Sequence, residues 1–128
     1  MRQTILVIDD SKAIRFLLQA VLSKDYQVVT APDACSAMQW LAKKELPDLI
    51  IVDPQLPDVQ DWELVGEFTS SALYRDIPLI VLSAFDKTTT AAKCYQFGVA
   101  DFFIRPFNPL ELSETVQQVM SKTVPVAK

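Results

Sequence analysis

Leu49-Ile50-Ile51-Val52-Asp53-Pro54-Gln55-Leu56-Pro57 is an apolar run that stops on a carboxylate and then breaks on prolines. A run this short, rich in β-branched residues and preceded by Pro47, reads as a strand buried on both faces. Pro54 pushes the residue before it toward extended geometry, so Asp53 stands at the strand's carboxyl end rather than in a helix. In open parallel α/β sheets that edge is where ligands and chemistry collect.

The flanking sequence alternates strand-like and helix-like patterns. Thr4 to Ile8 is a first strand, and after Asp9-Asp10-Ser11 the apolar residues Ile14, Leu17, Leu18, Val21 and Leu22 recur at helical spacing. Tyr26 to Thr30 makes a second strand, and Pro32-Asp33 opens a helix with Ala34, Ala37, Met38 and Leu41 inward. A third helix is expected from Asp61, with Leu64, Val65 and Phe68 on one face and Gly66 costing about 1 kcal/mol against alanine. Ile77 to Leu82 is a fourth strand, and Lys87 to Phe97 a helix that Gly98 can end with positive φ. Asp101 to Ile104 is the fifth strand. Asn108-Pro109-Leu110-Glu111 then supplies an N-cap, a first-turn proline and a capping-box glutamate for a helix running to about Met120, with Leu112, Val116, Val119 and Met120 inward. Such alternation predicts an α/β fold, a doubly wound five-stranded parallel sheet with five helices on both faces. One domain should fill residues 1–122, leaving 123–128 as a loose tail.

A length of 128 residues with 50% apolar content suits one self-sufficient core. The formal net charge of -4 and the lack of a Lys/Arg block argue against a nucleic-acid or anionic-membrane surface. The five-residue apolar run near the amino end is too short for a signal peptide or a membrane span, so a cytoplasmic location is expected. Cys35 and Cys94 stand in no metal-type spacing and read as two buried free thiols. There is no histidine. That removes histidine-based metal sites and nucleophilic triads, leaving carboxylates, hydroxyls and Lys/Arg for chemistry.

Side by side, the strand ends carry Asp9-Asp10, Asp53, Ser83 and Arg105. Three acids on one rim repel one another and are tolerable mainly when a divalent cation or a fixed positive side chain sits among them. Oxygen ligands without His or Cys select a hard ion, Mg²⁺ foremost.

These residues resemble the receiver domains of two-component response regulators, the CheY-like superfamily. The resemblance covers Gln3 to Lys122 and rests on ILVIDDS, on DLIIVDPQLPD with Glu63-Leu64 downstream, on PLIVLSA and on GVADFFIRPF, in order and correctly spaced. It implies a flavodoxin-like sheet in strand order 2-1-3-4-5. It further implies that Asp53 is the phosphoryl acceptor, taking phosphate from a sensor histidine kinase or a His-containing phosphotransfer protein. Asp10, Asp53 and the Gln55 carbonyl would hold Mg²⁺, with Asp9 acting through water. By the same resemblance Ser83 swings toward the phosphoryl group, Phe102 is the switch aromatic, and the Gln55 and Ala84 N–H groups donate to phosphoryl oxygens. The Arg105-Pro106 bond is expected to be cis. Output would pass to an unidentified downstream protein through the strand-four to helix-five surface, which also suits a weak homodimer through helix four, strand five and helix five. Such a domain receives and can shed a phosphoryl group in a phosphorelay without being a turnover enzyme.

Two positions depart from the family pattern. Arg105 stands where it has lysine before proline, and Asp61 where it has glycine ahead of the third helix. Arginine keeps the charge but is longer and planar, so the exchange is not neutral at a compact phosphate site. These departures motivate an alternative, a pseudo-receiver that signals without phosphate. An aspartate-nucleophile phosphatase or a flavodoxin is disfavoured, because Gln55 stands where the former wants a second carboxylate and Asp9-Asp10 would repel a flavin phosphate.

Overall fold

The computed structural model describes residues 2–43, 46–99 and 101–123. Strands β1 (Thr4–Ile8), β2 (Gln27–Ala31), β3 (Leu49–Val52), β4 (Leu79–Ser83) and β5 (Asp101–Ile104) form one parallel sheet in the order β2-β1-β3-β4-β5. Helices α1 (Lys12–Leu22), α2 (Ala34–Lys43), α3 (Glu63–Ser70), α4 (Lys87–Phe97) and α5 (Pro109–Thr123) alternate with them. Among the described residues no helix is long and apolar enough to cross a membrane.

Strand alternation sorts the core into two layers. Ile5, Val7, Leu49, Ile51, Ile80 and Leu82 pack with Leu18 and Leu22 of α1 and with Leu112, Val116 and Met120 of α5. Their sequence neighbours Leu6, Ile8, Ile50, Val52, Leu79 and Val81 face α2, α3 and α4. All four residues of β3 are buried, as a central strand covered on both faces requires. The apolar run that looked continuous in sequence is therefore two interleaved faces.

Helix starts are fixed by short polar side chains. Ser11 Oγ accepts from the Ile14 N–H at 3.2 Å, Asp33 from Ser36 at 2.7 Å, Asp86 from Thr89 at 2.8 Å and Asn108 from Leu110 at 2.8 Å. Each cap satisfies an amide that the helix leaves open and contributes about 1 kcal/mol.

Several expected boundaries move. β2 lies one residue later than expected, and β4 begins at Leu79 because Pro78 has no N–H for the ladder; its carbonyl still accepts from Ile50 at 3.0 Å. α3 starts at Glu63 and not at Asp61, since the chain enters it through Trp62 in the left-handed region, φ 67°. There the Trp62 N–H donates to the Pro54 carbonyl at 2.7 Å, and the indole is buried between Phe85 and Phe97, 6.3 and 6.4 Å away between ring centres. α5 runs to Thr123, so the expected tail does not begin there; residues 124–128 lie outside the described part. Cys94 is buried, and burial pushes its thiol up to about 11, whereas Cys35 is exposed on α2 rather than buried.

The glycines in this region have different reasons. Gly98 caps α4 at φ 76° with nothing near the position of a Cβ, while a Cβ on Gly66 would come within 3.2 Å of the Phe97 ring. Gly98→Ala should therefore cost about 1 kcal/mol in urea unfolding, all of it backbone conformation. Gly66→Ala should fail to gain the roughly 1 kcal/mol of helix propensity that alanine offers. A clear stabilisation by Gly66→Ala would show that the α3–Phe97 approach is looser than described.

Candidate functional site: an acidic corner at the sheet edge

Register brings the acids together. Ile8 pairs with Val52 and the Asp53 N–H donates to the Ile8 carbonyl at 2.9 Å, so Asp9 and Asp53 leave the sheet as neighbours. Carboxylate oxygens of Asp9, Asp10 and Asp53 lie within 4.8 Å of one another. Asp9 and Asp53 are buried and Asp10 is exposed. Because Ser11 caps α1, neither acid is spent as its N-cap, although Asp9 Oδ1 accepts from the Ser11 N–H at 2.9 Å.

The cation is Arg105, which follows β5, and the bond between it and Pro106 is cis. Its guanidinium crosses β4, where Nη2 donates to the Leu82 carbonyl at 3.1 Å, and reaches Asp53 Oδ2 at 3.1 Å and the Asp9 carboxylate beyond. One fork thus spans from the edge strand β5 toward β1, a reach that arginine's extra length and planar donors permit. Its Nε is buried without a hydrogen-bond partner among the described residues.

Asp53 is held on its other side by the Gln55 N–H, which donates to Oδ1 at 2.8 Å. Burial raises its pKa from 3.8 to about 6, and the charges of Asp9 and Asp10 add to the rise; the Gln55 N–H and Arg105 pull it back. A cleft opens above it, lined by Asp10, Asp53, Gln55, Leu56, Pro57, Asp61, Ala84 and Arg105. Asp61 is therefore an exposed residue on the lip of the cleft, not a helix start.

Ser83 is absent from that lining. It is fully buried, its Oγ hydrogen-bonded to Thr90 Oγ1 at 2.7 Å and accepting from the Phe85 N–H at 2.9 Å. Phe102 is half-buried and packed with the α2–α4 layer. Sequence reasoning overlooked three supports. Thr90 holds Ser83; Arg15 donates to the Asp9 carbonyl at 2.8 Å; and Asp58 accepts from the Ala34 and Cys35 N–H groups at 3.0 and 2.8 Å, tying the loop after β3 to the start of α2. The Cys35 bond leads in holding the Asp58 carboxyl below its usual range. Only pairing across distant segments reveals these roles.

The donor set fits a hard divalent ion. Three carboxylates against one guanidinium leave a local charge of two negatives, which an ion such as Mg²⁺ would cancel through oxygen ligands.

The raised Asp53 pKa fixes a stability sign. The folded protein holds this proton more tightly than the unfolded chain does, so the contribution is whole below about 3.8 and is lost as pH rises through about 6. Asp53→Asn should therefore be more stable than wild type at pH 8 in chelator. The gain should be about 1 kcal/mol, discounted for the open cleft, which corresponds to about 4 °C in melting temperature. Near pH 4 the two proteins should melt together, as thermal scans across pH would register.

Comparison with known proteins agrees with this geometry. A family model described as the response regulator receiver domain matches residues 5–117. The transcriptional regulatory protein KdpE of Staphylococcus aureus is 33% identical over 119 residues, covering 93% of this chain and 50% of its own length. A protein of Leptolyngbya boryana named as an uncharacterized 14.6 kDa protein in the sodA1 3' region is 34% identical over 115 residues, 89% of this chain and 87% of that one. The solved structure of the chemotaxis response regulator CheY4 of Vibrio cholerae matches with a TM-score of 0.81 at 28% identity, covering 93% of this chain and 99% of the other. The chain spans about half the length of several curated regulators that it matches. Acidic corner, sheet order and sequence match converge: the chain belongs to the receiver domain family of response regulators, the signalling modules of two-component systems.

Proposed function

We propose that Asp53 accepts a phosphoryl group from a phosphohistidine on a sensor histidine kinase or phosphotransfer protein. The observation that carries this reading is one buried strand-end carboxylate, ringed by Asp9 and Asp10 and open to a cleft. An Asp53 oxygen attacks phosphorus as the P–N bond breaks, the donor imidazole keeps the bonding pair, and an acyl phosphate forms. Both Asp53 oxygens are engaged at rest, Oδ1 with Gln55 and Oδ2 with Arg105, so attack requires one of them to be released. Asp10, Asp53 and the Gln55 carbonyl would hold Mg²⁺, with Asp9 through water. When bound, the ion supplies positive charge for the phosphoryl oxygens. The N–H groups of Gln55 and Ala84, both on the cleft wall, are donors for the same oxygens. Output through the β4-to-α5 surface, to another protein or a second copy, is supported by the exposed Tyr95 and Leu110.

Acetyl phosphate with Mg²⁺ should add the mass of one phosphoryl group to wild type and none to Asp53→Asn. An unchanged wild-type mass, together with no beryllofluoride response, would remove the proposal. Arg105 favours one second reading. Its fork already neutralises part of the corner, as a receiver that signals without phosphate would need. In that case Asp53→Ala would leave partner binding intact, whereas the phosphoryl reading expects it to be lost.

Arg105 should also compete with the metal. It meets Asp9 and Asp53 through Nη2 and adds an Nη1 contact to Asp9 at 3.4 Å. Lysine is shorter and has no second nitrogen to supply that contact, so Arg105→Lys should tighten Mg²⁺ binding about fivefold in calorimetric titration. Weaker binding would show that the guanidinium organises the corner instead.

A further inference from the structure

Ser83 ends β4 in the alternation of Leu79 and Val81, so its side chain falls on the face covered by α2, α3 and α4. There it meets Thr90 of α4, also fully buried, and the two hydroxyls share a 2.7 Å hydrogen bond. The Ser83 oxygen also accepts from the Phe85 N–H at 2.9 Å. At rest this hydroxyl belongs to the helix side of the sheet, while the cleft above Asp53 is lined by Ala84 next to it.

We propose that Thr90 is a positioning residue that latches the Ser83 hydroxyl away from Asp53 and so sets the cost of turning it to a phosphoryl group. This rests on the phosphoryl-acceptor reading. Turning Ser83 outward breaks the bond to Thr90 and strands a hydroxyl with no access to water, which is costly for any buried polar group. It also frees the Phe85 N–H. The Phe85 ring stacks on Trp62 at 6.3 Å, and the Trp62 N–H is bonded to the Pro54 carbonyl beside Asp53. The latch therefore sits against an aromatic contact joining the loops that follow β3 and β4, and Trp62 should report its release.

The test titrates the full chain with beryllofluoride in saturating Mg²⁺ and reads Trp62 fluorescence in a Trp40→Phe background. Thr90→Val keeps the shape and removes the hydroxyl. It should lower the half-saturating concentration about fivefold, the factor expected for one neutral hydrogen bond. Thr90→Ser, which keeps the hydroxyl, should stay within about twofold of wild type on the same scale of effect. Thr90→Ala gives the valine result again should valine disturb packing. Without beryllofluoride, the Phe85 amide resonance should move in Thr90→Val and stay near its wild-type position in Thr90→Ser.

Equal half-saturation in wild type, Thr90→Val and Thr90→Ala would overturn the latch, as would an equal shift in Thr90→Ser, which keeps the hydroxyl and so would trace the effect to packing at this position instead of to the bond with Ser83. A wild type that fails to respond at all sinks the phosphoryl reading and the latch together, and the parent protein alone reports that outcome.

Discussion

Three carboxylates with oxygens within 4.8 Å of one another can share a corner only if positive charge sits among them. Two unit charges at that distance repel by about 3 kcal/mol at the effective dielectric of a protein rim. The sheet forces the encounter, because β1 and β3 are adjacent and end in register. Arg105 offsets part of the repulsion from two strands beyond Asp53, and its reach depends on β4 and β5 pairing as they do. The electrostatics of the corner are thus a consequence of strand order, and a sheet with β3 at its edge would not assemble them.

Holding Asp53 ionised in that place is unfavourable, as its raised pKa records, so the fold must supply the stability from elsewhere. The apolar ends of the same strands do so. Ile5 to Ile8 and Leu49 to Val52 are all buried, and each such side chain contributes about 1.5–3 kcal/mol. The loop after β3 is separately pinned by Asp58 at the start of α2 and by Trp62 beneath it. A corner with unfavourable charge is therefore carried on a rigid base, and its groups stay near one another without being comfortable there.

Periodicity and composition carried most of the architecture. Five strands, five helices, the Gly98 cap, the cis Arg105-Pro106 bond and the convergence of Asp9, Asp10, Asp53 and Arg105 follow from residue order and family pattern. What escaped was decided between segments distant in sequence. A tryptophan in the left-handed region carries no local signal, so α3 was expected two residues too early. The exposed Cys35 lies outside the buried stripe of α2 formed by Ala34, Ala37 and Leu41, a phase that a search for metal spacing ignores. The Ser83 orientation was available from alternation along β4, but its partner Thr90 lies in a helix of low apolar contrast and could not be singled out.

Alternation also separates two influences on Asp53. Arg105 follows β5 in the phase of Phe103, which packs with α1 and α5, whereas Ser83 points into the α2–α4 layer with Phe102 packed on the same side. The cation therefore reaches the carboxylate from one layer of the molecule, while the hydroxyl rests in the other. Replacing the family's lysine with arginine changes the charged side, where the contacts of the guanidinium go to Asp9, Asp53 and Leu82. Arg105 meets Ser83 through its backbone N–H, which donates to the Ser83 carbonyl at 2.9 Å as a lysine there would. Under the proposed function, a phosphoryl group on Asp53 would draw on both layers at once. The departure at Arg105 would then fall on how the corner holds its cation, leaving the hydroxyl side of the switch mechanically unaltered.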